Sequence, residues 1–220
     1  MTPTIDQLKT HGRWNPLWDE IAQWDPAWTE DFLRAATAPW NDGVLQAKIV
    51  ELLCIAGNAA CTNLYEPGLR RHIRAALDAG ATRDEIVAVL EFVALLGIQS
   101  CHLAAPILHE ELGGTGTHAA LDLLAEWDPR WAVQWSAILA TTRNSRALDA
   151  KTIELLGIAV NASATHMFEP AVRRHVKAAL AAGATREEIV AVLKVASCIG
   201  IHAVNVAAPI LAAELTANRG

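Results

Sequence analysis

Four side chains in the second half of the chain have the types and spacing for proton transfer. His166, Glu169 and His175 fall within ten positions, and His202 follows later. Imidazole exchanges protons near neutral pH, and a carboxylate beside it acts as a base or sets its tautomer. Glu169 precedes Pro170, a residue type favoured in the first turn of a helix, where exposed amides stabilise an ionised carboxylate. A helix-capping role for Glu169 fits the same position. Arg173 and Arg174 lie one turn on, and either could grip a substrate carboxylate through two N–H groups or lie solvated on the surface. His202 and Asn205 are three apart, on one face of an otherwise apolar run. A polar pair there needs partners, so it belongs to a satisfied core network or lines a cavity. His166, Glu169, His175 and His202 are also competent ligands for zinc or iron, although their spacing matches no standard metal motif.

The elements that must position these groups occur twice. At an offset of 103 residues, "WDPAW" (24–28) aligns with "WDPRW", and "AKIVELLCIAGNAA" with "AKTIELLGIAVNAS". "TNLYEP" aligns with "THMFEP", and "RRHIRAALDAGATRDEIVAVL" with "RRHVKAALAAGATREEIVAVL". No gap is needed from Trp24 to Leu112, which marks duplication of a folding unit. The copies share Glu66/Glu169, Arg70/Arg173, Arg71/Arg174 and His72/His175. They differ at Asn63/His166, Gln99/His202 and His102/Asn205. Amides hydrogen-bond much as a neutral imidazole does but move no proton near neutral pH. The second copy is therefore expected to carry the chemistry, with the first as a scaffold of similar shape.

Each copy reads as helices alone. Asp25 and Asp128 are N-caps followed by proline. Gly80 and Gly183 end one helix, and Thr82 and Thr185 open the next, with Glu85 and Glu188 completing capping boxes. Apolar positions recur at helical spacing through 45–61, 69–79 and 86–112, and again in the second copy. The expectation is an all-α pseudo-dimer with about five helices per copy. It divides into a Trp-rich segment 1–23, a first copy 24–112, a linker 113–126 around "GGTGTHAA", and a second copy 127–220. Trp24/Trp28 and Trp127/Trp131/Trp135 recur at i, i+4 and are expected to form a packing seam.

Of the 220 residues, 52% are apolar and 19% charged, more apolar material than one small globule can hide. The surplus is expected to sit in a homo-oligomeric interface. A net charge of −6 without a basic stripe speaks against a nucleic-acid partner. The segments 86–108 and 189–213 are apolar but interrupted by Gln99, His102 and Pro106, and by His202, Asn205 and Pro209. They are expected to be buried helices of a soluble protein with no membrane partner. The N-terminus lacks an apolar signal region, and four cysteines without a CxxC pair suit a reducing cytoplasm.

"EPGLRRHIRAALDAGATRDEIVAVL" and "EPAVRRHVKAALAAGATREEIVAVL", each followed by a glycine break ("LLGIQ", "CIGIH"), resemble the carboxymuconolactone decarboxylase family, allied to the alkyl-hydroperoxidase D-like proteins. The resemblance implies a helical bundle assembling into hexamer-like rings, and hence a trimer of two-copy chains. The cysteine slots of the peroxidase branch hold Tyr65 and Gly68, and Phe168 and Ala171, which speaks against thiol-based peroxide reduction. The decarboxylase branch implies functional roles for Glu66/His72 and Glu169/His175. The leading expectation is a cofactor-independent lyase acting on a small organic acid or lactone. His166, Glu169, His175 and His202 would be catalytic; Arg174, Asn205, Tyr65, Glu66 and His72 would contact the substrate. A zinc- or iron-dependent enzyme on the same four catalytic residues and a non-enzymatic binding module stand as alternatives.

Overall fold

The two copies share a central hydrophobic core, to which both contribute buried aliphatic side chains. The computed structural model describes residues 4–218, all helix and turn with no strand among them. An N-terminal stretch holds α1 (Thr4–Thr10), a 3-10 turn at Pro16–Trp18, and α2 (Asp19–Trp24). The first copy follows as α3 (Pro26–Ala36), α4 (Ala38–Asn41), α5 (Ala47–Ala59), α6 (Glu66–Asp78), α7 (Arg83–Ala94) and α8 (Gln99–Glu111). Next come α9 (Ala120–Trp127) and α10 (Pro129–Arg143). The chain ends with α11 (Ala150–Ala162), α12 (Glu169–Ala181), α13 (Arg186–Ser197) and α14 (Ile201–Ala217).

The expected caps are present. Asp25 and Asp128 accept from the amides of Trp28 and Trp131, and Thr82/Glu85 and Thr185/Glu188 form reciprocal capping boxes. Gly80 and Gly183 take positive φ angles of 86° and 85° at the helix ends, a conformation that costs glycine nothing. Half of the stretch 113–126, expected to be linker, is α9. It lies on α8, as α2 lies on α14.

At the centre, α5 packs on α11, and Leu52, Leu53 and Ile55 meet Leu155, Leu156 and Ile158 in one buried cluster. The last two helices of each copy then cross to the other copy. The α13–α14 arm packs on α3, α4 and α5, and on the N-terminal turn and α2; α7 packs on α10 and α11. A Lys194–Asp42 ion pair at 2.9 Å ties the α13 crossing.

Two expectations need correction. The helical runs Arg83–Glu111 and Arg186–Ala217 are long and apolar enough to cross a membrane by length and composition, and only 33% and 28% of their most apolar windows are buried in the single chain. They are therefore largely uncovered rather than buried, because their apolar periodicity serves more than the face that meets the core. The tryptophan seam is also only partly covered. Trp24, Trp28 and Trp127 are 42%, 41% and 37% exposed, while Trp18 and Trp40 are the indoles that reach polar partners inside.

Candidate active site

Each copy lines up a carboxylate, an imidazole and a guanidinium in series. In the first, Glu51 Oε2 lies 2.7 Å from His72 Nδ1, and Trp40 Nε1 donates to Glu51 Oε1 at 2.6 Å. Arg71 donates to His72 Nε2 at 3.1 Å. An imidazole that accepts at Nε2 and faces a carboxylate at Nδ1 is the neutral Nδ1–H tautomer. Both ring nitrogens are thus occupied, and the imidazole's role is to hold the arginine. The second copy repeats the series: Glu154 Oε2 at 2.7 Å from His175 Nδ1, and Arg174 at 3.2 Å from His175 Nε2. Arg71 and Arg174 have no carboxylate partner among the described residues, whereas Arg70 and Arg173 pair with Glu66 and Glu169.

The crossing arms complete each series with residues of the opposite copy. His202, on α14, stacks on Tyr65 with ring centroids 3.9 Å apart and places Nδ1 3.4 Å from Asn63 Oδ1. Burial, together with the Arg71 charge, lowers its pKa from 6.5 to about 4, so the ring is neutral at physiological pH. Asn205, one turn on, accepts a hydrogen bond from Trp18 Nε1 at 2.8 Å. The first composite site therefore joins Glu51, His72, Arg71, Tyr65 and Asn63 of one copy to His202 and Asn205 of the other. In the second, Gln99 of α8 meets His166, and His102 of α8 feels the charge of Arg174. His166 Nε2 donates to Gln99 Oε1, Gln99 Nε2 donates to Asn161 Oδ1 at 2.6 Å, and Asn161 Nδ2 donates to the Gly157 carbonyl. Burial lowers the pKa of His166, and burial with the Arg174 charge lowers that of His102.

Expected at one site in the second copy, the four sequence candidates are divided. His202 belongs with first-copy side chains, and His166 and His175 lie at the other composite site. Glu169 and Glu66 reach neither site. Each stands in the first turn of an exposed helix and pairs with the arginine four residues on, at 75% and 69% side-chain exposure. The physical reason is helix phase, since the histidine at i+6 turns onto the inner face while position i turns outward. Arg174 is exposed in the second site; Arg71, half-buried, is the arginine beside His202. The metal-ligand alternative on His166, Glu169, His175 and His202 lacks a common centre for the same reason. Glu51, Cys54 and His72 do bring ligand atoms within 4.8 Å of one another. Both Glu51 oxygens are already engaged there, and burial beside that carboxylate pushes the Cys54 thiol well up, so this trio fits hydrogen-bonded packing better than a metal's donor set.

Glu51 and Glu154 carried a sequence signal, a lone carboxylate inside an apolar helix at the same place in both copies. A second signal was invisible. Leu64 and Met167, equivalent by the 103 offset, hold φ of 46° and 48° although neither is glycine. Such strain collects at functional turns, and here it sets the loops that carry Asn63/Tyr65 and His166/Phe168. Small residues shape the two sites differently. His175 packs over Gly157 so closely that a Cβ there would lie 2.3 Å from its ring, whereas the first copy has Cys54 at that position. Shallow surface grooves lie elsewhere, along α12 between Glu169 and Leu180 and at the start of α10.

Fold and site together define a tandem-duplicated helical protein in which each anion-ready arginine faces residues of the opposite copy. Residues 26–100 and 129–213 match the carboxymuconolactone decarboxylase family model. The chain belongs to that family. A 1.70 Å crystal structure from Burkholderia xenovorans LB400, provisionally described as a gamma-carboxymuconolactone decarboxylase subunit, is similar at 31% identity and a TM-score of 0.86, covering 98% of this chain and 97% of that one. No curated protein matches the chain.

Proposed function

We propose that the chain is a cofactor-independent lyase that decarboxylates a small organic acid or lactone at the first composite site. The observation that carries this reading is the Glu51–His72–Arg71 series, which presents an arginine without a carboxylate partner beside the neutral His202 ring. Loss of CO2 breaks a C–C bond and sends its electron pair into an adjacent carbonyl. Arg71 stabilises the oxygen on which that charge develops, the kind of fixed electrostatic contact that contributes most to such steps. The enolate carbon then takes a proton from solvent, relayed through His202, whose partly exposed ring with Tyr65 marks the side from which substrate arrives. The fold relative's provisional description as a gamma-carboxymuconolactone decarboxylase subunit agrees with this substrate class.

Two measurements test the reading. Metal-free protein, prepared with a chelator, is expected to release CO2 from carboxylated lactones or β-keto acids at the untreated rate, and silence across such a panel rejects the activity. The pH profile of kcat/KM is expected to keep its acid limb near 4 rather than 6.5, because the relay needs His202 neutral in the resting enzyme. Stability follows the same sign. The unfolded chain takes up this proton near 6.5 and the folded chain only near 4, so His202's contribution is full above 6.5 and is lost as pH falls toward 4. An acid limb at 6.5 would remove His202 from the relay.

The chain also assembles with copies of itself in this proposal. Leu103, Ile107 and Leu108 on α8 and their equivalents Val206, Ile210 and Leu211 on α14 are all at least 49% exposed. Two like apolar stripes on one chain suit a closed ring, and the duplicated sequence makes three chains the equivalent of six units. Light scattering is expected to give a mass of three chains, and a monomer at micromolar concentration would exclude the assembly.

A further inference from the structure

The two carboxylate–imidazole–guanidinium series differ in what holds the carboxylate. Glu51 is buried, and a buried carboxylate needs donors for its oxygens. His72 Nδ1 serves Oε2 at 2.7 Å, and Trp40 Nε1 serves Oε1 at 2.6 Å. An indole nitrogen can only donate, so the direction of that bond is settled. The Trp40 ring plane also lies at 17° to that of His72, with centroids 6.3 Å apart. One indole therefore borders both members of the pair that holds Arg71. The second copy has the exposed Arg143 at the position of Trp40. Among the described residues no donor reaches Glu154 Oε1, and the Glu154 side chain is 25% exposed against 10% for Glu51. Trp40 comes from α4, a single turn too short to hold its own position. The crossing arm holds it. There α13 packs on α4, Lys194 Nζ lies 2.9 Å from Oδ2 of Asp42 just after α4, and Cys198 Sγ lies 3.5 Å from the Ala36 carbonyl just before it. Glu91 and Ser145 stand at the equivalent positions of Lys194 and Asp42, so the second copy lacks that tie. The arm that delivers His202 thus also braces Trp40.

We propose that Trp40 is a positioning residue of the first composite site: its N–H anchors one Glu51 oxygen so that the other keeps the His72 proton on Nδ1, and the bare Nε2 then holds Arg71 in place. The second copy has the same carboxylate, imidazole and arginine but no such anchor. Trp40 touches no reacting atom and acts only through Glu51 and His72. Without its N–H the carboxylate turns, or draws a second proton onto His72, and in both cases Nε2 ceases to be a fixed acceptor for Arg71. The role rests on the lyase reading only for the reaction it serves, since the state of His72 can be read without turnover.

The test reads the His72 ring nitrogens in a long-range proton–nitrogen-15 spectrum of the full chain, where protonated and bare nitrogens separate widely. Wild type is expected to show a proton on Nδ1 and none on Nε2. Trp40→Phe keeps an aromatic ring but removes the N–H. It is expected to lose that pattern at His72, while His175, whose carboxylate has no indole partner, keeps its own. The same variant is expected to lower kcat about tenfold with KM within about threefold, because a fixed arginine counts most where charge develops. Lys194→Met, a surface change, is expected to lower kcat by about two- to threefold alone and to add nothing in the Trp40→Phe background, because it acts through the same indole. Circular dichroism confirms that each variant folds. A wild-type His72 with its proton on Nε2 would overturn the role without recourse to any variant. An unchanged His72 pattern in Trp40→Phe, an equal disturbance of His175, or losses that simply add in the double variant would also overturn it. A His72 pattern lost only in Trp40→Phe, in a chain that releases CO2 from no substrate, would leave the positioning role standing and defeat the lyase reading.

Discussion

His202→Gln is expected to lower kcat by about 100-fold or more with the fold intact, because general acid–base groups contribute on that scale and an amide cannot relay a proton. Glutamine is the residue the chain itself places at the equivalent position, Gln99, where it sits comfortably in a hydrogen-bonded series. The matched variant is His166→Asn, which copies Asn63. From sequence, His166 and His202 are equal candidates. In the folded chain His166 donates to Gln99 at the second composite site, away from the Tyr65–His202 pair, so its replacement is expected to change kcat by less than about threefold. Steady-state kinetics of the two variants decide between the sites. A large loss in His166→Asn with none in His202→Gln would move the chemistry to the second site and defeat the first.

Glu51→Ala is the substitution with the largest expected effect on stability. It leaves two donors, His72 Nδ1 and Trp40 Nε1, without their acceptor in a region where Glu51 and His72 side chains are each 10% exposed. Each buried orphan costs about 1–3 kcal/mol, and the space left by the side chain adds to that, for a total of about 3–5 kcal/mol. In a chain of this size that corresponds to a fall in Tm of roughly 10 °C. Arg71 also loses its brace, so kcat/KM is expected to fall further than the unfolded fraction explains. Glu169→Gln is the contrast. That carboxylate pairs on the surface with Arg173, and its loss is expected to stay within about 0.5 kcal/mol. Calorimetry on both variants, showing equal Tm values, would refute the assignment of Glu51 as the histidine's partner.

The fold was legible because its signals are local. Caps at Asp25, Thr82, Asp128 and Thr185, glycines at 80 and 183, and apolar recurrence at helical spacing each act within a few residues, and the 103-residue offset doubled every one of them. The same alignment named His72, His175, His202, Arg71, Arg174 and Asn205 as polar candidates for a site. It could not say which of them meet. Glu169 was expected to act with the histidines and Glu66 to contact substrate, yet helix phase turns both to solvent.

What the sequence determined by itself is the helical architecture, the duplication, and the kinds of chemistry its side chains can do. Which side chains share a site was decided only by the tertiary structure. The cause is the crossing of the α13–α14 arm onto the first copy. Arm exchange preserves every local pattern while giving the arm's side chains partners in the other copy, so His202 serves the copy it was not inherited with.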